Sequence, residues 1–240
     1  MIDWLRRQPL DPEIELGGKR LPIRLKRLHN ARRLTLRLAP DGSEVRITLP
    51  AWAEGREAIA FAHARQGWLA GQLAKMPPRA APEPGGEIRY RGAPLRLAWE
   101  PRAPRTPVVQ GDSLHIGGPQ SGLEGRLRRW LEAEALRLAE ADMRDYCAAA
   151  ELDPVPIGLT RAQRRWGSCS DKNRIRINWR LVQAPDHVRR SVVAHEVAHL
   201  VHFDHSPAFH ALLARIFEGE IALADRWLKE HGRTLYASFG

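Results

Sequence analysis

Residues 186–210 read DHVRRSVVAHEVAHLVHFDHSPAFH and hold four of the chain's ten histidines within eleven positions. His195-Glu196-Val197-Ala198-His199 is an H-E-x-x-H pattern. On a helix, residues four apart lie about 40° apart in azimuth and about 6 Å apart along the axis, so both imidazoles can grip one ion. Glu196 is rotated by about 100° from His195 and faces a water on that ion, which suits a general base. The spacing predicts a helix that starts at Pro185-Asp186, carries Val188, Val192 and Phe203 near the azimuth of the two histidines, and turns its metal-binding face inward. A break is expected near Phe203-Asp204, with a restart at Ser206-Pro207, a good N-cap followed by a good first helical residue. On a continued helix His202 would lie about 10.5 Å along the axis from His195, too far to share a metal with it. His205, at the corner, ranks first as third ligand, ahead of Glu220 and Asp204, with Glu218 a further downstream acid. Three imidazoles and an open position describe a catalytic rather than a structural zinc site. One zinc ion is the expected cofactor, although this donor set accepts several divalent ions.

Working outward, residues 21–49 alternate apolar and polar side chains, as half-buried strands do. Asp41-Gly42 supplies a hairpin signal, and Arg24, Lys26, Arg33, Arg37 and Arg46 take the solvated face of a small antiparallel sheet. Residues 54–75 read as one helix. Residues 76–86, MPPRAAPEPGG, can propagate neither a helix nor a ladder and read as a linker or exposed loop. Short strands are expected at 87–90, 95–99 and 114–116, and a long amphipathic helix at 123–150. No internal repeat of fixed period is evident. The expected fold is α+β, with a β-rich N-terminal domain containing one helix over 1–118 and a catalytic domain over 119–240.

Composition limits the function classes. The longest stretch without Asp, Glu, Lys or Arg is eleven residues, 113–123, well short of the roughly 20 that a membrane span needs. Arg6, Arg7 and Asp11 interrupt the place of an export signal, and two cysteines build no disulfide framework; a reducing cytoplasm is expected. The net charge of +10 is uneven, with 20 basic and 12 acidic residues in the first half and 18 and 16 in the second. Eight basic and no acidic residues between Lys19 and Arg37 offer a polyanion surface, though 33 of the 38 basic residues are Arg and a solvated face explains them as well.

Three stretches resemble the YgjP-like metallopeptidases, formerly a family of unknown function and related to the SprT-type zinc proteases. They are Arg165-Trp166-Gly167-Ser168-Cys169-Ser170, Ile177-Asn178-Trp179-Arg180-Leu181, and the H-E-x-x-H-Leu200 run followed by His205-Ser206-Pro207-x-Phe209. RLTLRLAPDG from Arg33 and WLKEHG ending at Gly232 look like the family's opening and closing segments. The resemblance implies zinc ligands at His195, His199 and His205 and a catalytic glutamate at Glu196. His210 departs from it, since the family usually has Trp after the phenylalanine.

In a zincin-like catalytic portion, the alternating residues 173–179 would be the edge strand that pairs with an extended substrate, which makes Ile175, Ile177 and Asn178 substrate-binding candidates. Trp166-Gly167-Ser168 is expected to turn tightly against that strand, and Cys169 to be a buried small side chain rather than a ligand. The expected function is zinc-dependent hydrolysis of a peptide or protein substrate. The alternatives are a zinc hydrolase of a non-peptide amide or ester, and a protease recruited to nucleic acid through the basic sheet. His202, Arg165 and Tyr236 are candidates by type for the oxyanion stabiliser.

Overall fold

A computed structural model describes residues 12–76 and 80–239. Residues 1–11, which bear on the export signal, and 77–79 of the expected linker lie outside the described residues. The chain divides into two compact units, Met1–Pro78 and Arg79–Gly240. The division falls within the Pro-rich stretch, whereas the expected boundary was 118/119. The reason is packing: the strands between 87 and 117 share a hydrophobic core with the long helix that follows them.

In the first unit, β1 (Glu13–Leu16), β2 (Lys19–Leu28), β3 (Thr35–Leu38) and β4 (Val45–Pro50) form a sheet in the order β1-β2-β4-β3. Ile14, Leu16, Ile23, Val45 and Ile47 lie on its buried face, packed with Ala58, Ala62 and Leu69 from the helices. The expectation of an antiparallel sheet is corrected at its centre, where β2 and β4 run parallel. β3 takes the far edge, so β4 returns through the Asp41-Gly42 turn into the gap in the same direction as β2. Gly42 makes that turn at φ 70°. The expected single helix is two, α1 (Gly55–Ala64) and α2 (Gln66–Ala74), broken at Arg65, whose φ of −108° and ψ of 15° are not helical.

The second unit contains two sheets and four α-helices among the described residues. β5 (Glu87–Tyr90), β6 (Ala93–Glu100), β7 (Val108–Gln110) and β8 (Ser113–Gly117) form one in the order β5-β6-β8-β7; β9 (Ile157–Thr160), β10 (Gly167–Cys169) and β11 (Ile175–Asn178) form the other, with β11 in the middle. α3 (Leu123–Ala149) is 27 residues long, about 40 Å of helix, and serves two cores. Leu123, Leu127, Leu131 and Leu138 cover the β5–β8 sheet. Met143, Tyr146 and Cys147 pack with β11 and with α4 (Asp186–Ala198), α5 (Pro207–Ile216) and α6 (Ile221–His231).

The two four-stranded sheets share one plan. Each is a hairpin, a parallel central pair and a second hairpin. Shifted by 74 positions, Glu13-Ile14 meets Glu87-Ile88, Gly18 meets Gly92, Leu21 meets Leu95 and Ile23 meets Leu97. The matching residues are buried alike: Ile14 and Ile88 at 1% and 2% exposure, Ile23 and Leu97 at 1% each. Both first hairpins turn on two positive-φ residues, Gly17-Gly18 and Arg91-Gly92. The offset holds for the first hairpins only, since Val45 and Leu114, the partners of Ile23 and Leu97, are 69 apart, so the shared plan is one of topology and not a repeat of fixed period.

Candidate metal centre

α4 begins after Pro185, as its sequence predicts, and is pinned from two sides. The β5–β6 turn reaches its start: Arg91 N–H donates to the Val182 carbonyl at 2.7 Å, and the Arg91 guanidinium pairs with Asp186. Behind it, Arg189 Nε donates to Asp142 Oδ2 of α3 at 2.7 Å, with both side chains about 3–4% exposed. Arg190 donates to Asp142 Oδ1 at 3.0 Å and to Glu218 Oε1 at 2.6 Å, and the Tyr146 hydroxyl donates to Glu218 Oε2 at 2.8 Å. Glu218 is thereby committed to this network.

The helix ends sooner than expected. Its last residue is Ala198, with His199 as C-cap. Leu200 and Val201 bond back three residues, to Val197 and Ala198, which tightens the last turn into a corner. Phe203 therefore leaves the helix and stands 60% exposed, against the expectation that it shares the buried face. Ser206 restarts the chain as predicted: its hydroxyl accepts from Phe209 N–H, and Pro207 opens α5.

The corner brings three imidazoles together. His195 Nε2 lies 3.1 Å from His199 Nε2 and 3.2 Å from His205 Nε2, and the three ligand atoms fall within 4.8 Å of one another. Nitrogens held tetrahedrally about 2.0–2.1 Å from one ion are about 3.3–3.4 Å apart, so the separations of His195 from His199 and from His205 match those around a shared metal. Among the described residues this is the one such group of three or more His, Cys, Asp or Glu side chains. His199 Nδ1 lies 2.9 Å from the His202 carbonyl, which can only accept, so Nδ1 carries the proton and Nε2 presents its lone pair to the cluster. His202 contributes its backbone to the site, not its ring. Burial first, and then the neighbouring rings, push His195 down to about 4 and keep it neutral. Phe209, fully buried, lies under all three rings at 4.6–5.0 Å between centroids. His210 is exposed beyond it, 6.4 Å from the His205 ring. Asp204 instead accepts from Ser206 N–H, and Glu220 is the exposed N-cap of α6.

Glu196 is 6% exposed, and burial pushes its carboxyl up to about 7 against the pull of Arg165 and of the Cys169 backbone N–H that bonds to it. Gly167 closes over it: a Cβ there would stand 2.4 Å from Glu196 Oε1 and 2.7 Å from Cγ. Sequence reasoning placed Trp166-Gly167-Ser168 in a tight turn. Gly167 is instead in a strand, and a glycine inside a strand marks a close approach of this kind.

β10 and β11 also reverse an expectation. β11 was to be the edge that receives substrate, but it is flanked by β10 and β9. Ile175, Ile177 and Asn178 are 0%, 1% and 0% exposed, so these substrate-binding candidates are core residues. Asn178 N–H donates to the Trp166 carbonyl, its Nδ2 to the Ala162 carbonyl, and its Oδ1 accepts from Arg180 N–H. Periodicity shows that a strand is buried on one face but not whether its edges are taken. The open edge belongs to β10. Asn178 N–H bonds Trp166 and Ser170 N–H bonds Arg174, so alternation turns the main-chain groups of Gly167 and Cys169 away from β11. That edge faces Glu196.

A cleft of about 260 Å³ beside His195 and Glu196 is lined by Arg165, Trp166, Gly167, Ile221, Asp225 and Leu228. Of the three residues considered for oxyanion stabilisation, Arg165 alone lines this cleft. Tyr236 is 3% exposed, packed against Trp166 and under the Arg180 guanidinium. Cys169 is half-buried, and burial raises its thiol pKa.

No helix among the described residues is long and apolar enough to cross a membrane. Neither the curated proteins nor the solved structures contain a match to this chain. The YgjP-like, metallopeptidase domain matches residues 32–231, most of the length, and carries with it a metal cofactor and peptide or protein substrates. The chain therefore belongs to the YgjP-like metallopeptidases, a family of metal-dependent peptidases.

Proposed function

We propose that the protein is a zinc-dependent peptidase of the zincin type, in which His195, His199 and His205 hold one zinc ion and Glu196 is the general base. The observation that carries this reading is the convergence of three Nε2 atoms beside a buried carboxylate. Three imidazoles suit zinc and leave a coordination position open. Bound there, the ion would polarise the substrate carbonyl and acidify a water. Glu196 takes the proton of the attacking water and returns it to the leaving nitrogen, and its raised pKa favours both transfers near neutral pH. The carboxylate is held for this by the Cys169 N–H and by the close-packed Gly167. The outward Gly167 N–H and the Gly167 and Cys169 carbonyls of β10 would align an extended peptide alongside it, and Arg165, which lines the cleft, is the candidate to receive charge developing on the carbonyl oxygen.

Metal analysis and peptide hydrolysis test the assignment together. Wild type should hold one zinc per chain and cleave an unstructured protein such as casein. Glu196→Gln should keep the metal and lose at least about 10²-fold in kcat, whereas His205→Ala should lose the metal. Undiminished turnover in Glu196→Gln would reject the general base.

A second reading, recruitment to nucleic acid, draws on the first sheet, where Arg24, Arg46 and Arg37 stand side by side across β2, β4 and β3. Glu44 pairs with two of them, at 3.6 Å to Arg24 and 2.5 Å to Arg46, and so offsets the row. Salt-dependent DNA binding that disappears on neutralising Lys26, Arg33 and Arg37 would support this reading.

A further inference from the structure

The β10–β11 hairpin carries a second cavity, of about 420 Å³, lined by Arg165, Ser168, Lys172, Arg174 and Arg176 among others. It contains four cations and one acid, Asp171. Some arginines of this unit, Arg91, Arg161, Arg189 and Arg190 among them, are neutralised by carboxylates within 4.0 Å. Among the described residues, none of the four cavity cations has such a partner. The hairpin's register explains the clustering. Ser168 pairs with Arg176, while Ile175 and Ile177 turn to the core, so Arg174 and Arg176 share the solvent face. The cavity is continuous in sequence with the metal cleft: Arg165 lines both, and β10 runs from Gly167 in one to Ser168 and Cys169 in the other.

From this arrangement we infer that the hairpin is a specificity site for acidic polypeptide, in which Arg174, Arg176 and Lys172 receive a substrate Asp or Glu side chain on one side of the scissile bond. The inference rests on the peptidase reading above and names the substrate class of that site. A strand added to the open edge of β10 turns every second side chain to the face that carries Arg174 and Arg176. At about 3.3 Å per residue, the three residues of β10 run alongside about three substrate positions. A carboxylate there gains charge-assisted hydrogen bonds from guanidinium groups that have no carboxylate within 4.0 Å. Lysine at the same position meets like charge. Nucleic acid is the competing polyanion, but the outward Gly167 N–H and the Gly167 and Cys169 carbonyls match the peptide main chain, which a phosphodiester lacks.

The test uses the zinc-loaded full-length enzyme and quenched fluorescent peptides in which Asp, Ala or Lys is stepped through each position around the cleaved bond. Wild type should prefer Asp over Lys at least tenfold in kcat/KM, at one or two alternate positions on one side only. The exposed pair Arg174→Glu/Arg176→Glu should reverse that preference while cleaving the all-Ala peptide at the wild-type rate, and Arg174→Gln/Arg176→Gln should abolish it. Equal rates for Asp and Lys in wild type, a preference that survives in both variants, or equal loss on the all-Ala peptide would each overturn the proposal. Should wild type cleave no peptide at all, the peptidase reading fails separately. Fluorescence anisotropy of an acidic and a lysine-substituted peptide on Glu196→Gln then decides: tighter binding of the acidic one, lost on reversing both arginines, supports the acidic site, and equal binding overturns it. A labelled DNA duplex that binds tighter than the acidic peptide and is released by the same substitutions assigns the cavity to nucleic acid instead.

Discussion

Gly167 and Glu196 meet without room for one carbon between them. A methyl at 167 would stand 2.4 Å from the carboxylate oxygen, and it is the glutamate, not the strand, that must give way. Gly167→Ala should therefore act on kcat, by about 10²-fold as for loss of a general base, while the zinc content measured by metal analysis stays at wild type. The neighbouring titrations make a second prediction. Glu196 is raised to about 7 from 4.5, so the stability it lends the metal-free protein is full below about 4.5 and is lost as pH rises through 7. His195 is lowered to about 4 from 6.5, so its contribution is present above 6.5 and is lost as pH falls through 4. Between about 4.5 and 6.5 folding takes a proton onto one group and releases one from the other, and the two slopes cancel. Metal-free Glu196→Gln removes one of them, so its stability to urea should rise with pH over this window where that of the metal-free wild type changes less. The meeting of the His195 and His199 rings was legible because four-residue spacing on a helix is local geometry. Gly167 was not, because its constraint comes from a strand and a helix meeting in space.

At the scale of elements, α4, which carries His195 and Glu196, is braced by buried charge. Arg189 and Asp142 exclude water from each other, and Arg190 extends the bond to Glu218 and Tyr146. Such a pair contributes little against an apolar replacement of both partners, but removing one leaves the other buried and unpaired. Asp142→Ala should cost about 3 kcal/mol, read as an earlier urea transition of the metal-loaded protein. The corner after α4 is held more lightly. Ser206 caps α5 through Phe209 N–H, and its loss should cost about 1 kcal/mol of stability. Because His205 immediately precedes that cap, Ser206→Ala should also shed zinc to a chelator faster than wild type. The approach of His205 to His195 was legible from the Ser206-Pro207 restart. The early end of α4 was not, since nothing in HLVHFD announces a tightened turn, and the misplacement of Phe203 followed from it. The role given to residues 175–178 failed for a similar reason: alternation is a property of one strand, whereas an edge is a property of the whole sheet.

The whole molecule is a four-stranded plan used twice. In the first unit the sheet is covered by α1 and α2; in the second its counterpart is covered by α3, which continues past it into the core behind the metal centre. The alternating pattern of each sheet was visible in the sequence, but their kinship was not. It rests on a few apolar positions and two positive-φ turns spread over 74 residues, too sparse to stand out until register and burial align them. The same fact moves the boundary. A break at 118 would part the β5–β8 sheet from Leu123, Leu127 and Leu131, which close its core, and would free the β5–β6 turn whose Arg91 holds the start of α4. A break at 78 leaves each sheet with its own helices. Residues 79–240 expressed alone should then fold cooperatively, bind zinc with wild-type stoichiometry and cleave the all-Ala peptide, whereas residues 119–240 should lack a cooperative thermal transition. Calorimetry and metal analysis on the two fragments separate these outcomes. A 79–240 fragment that melts without a heat-absorption peak would mean that the second unit depends on the first sheet for its own folding.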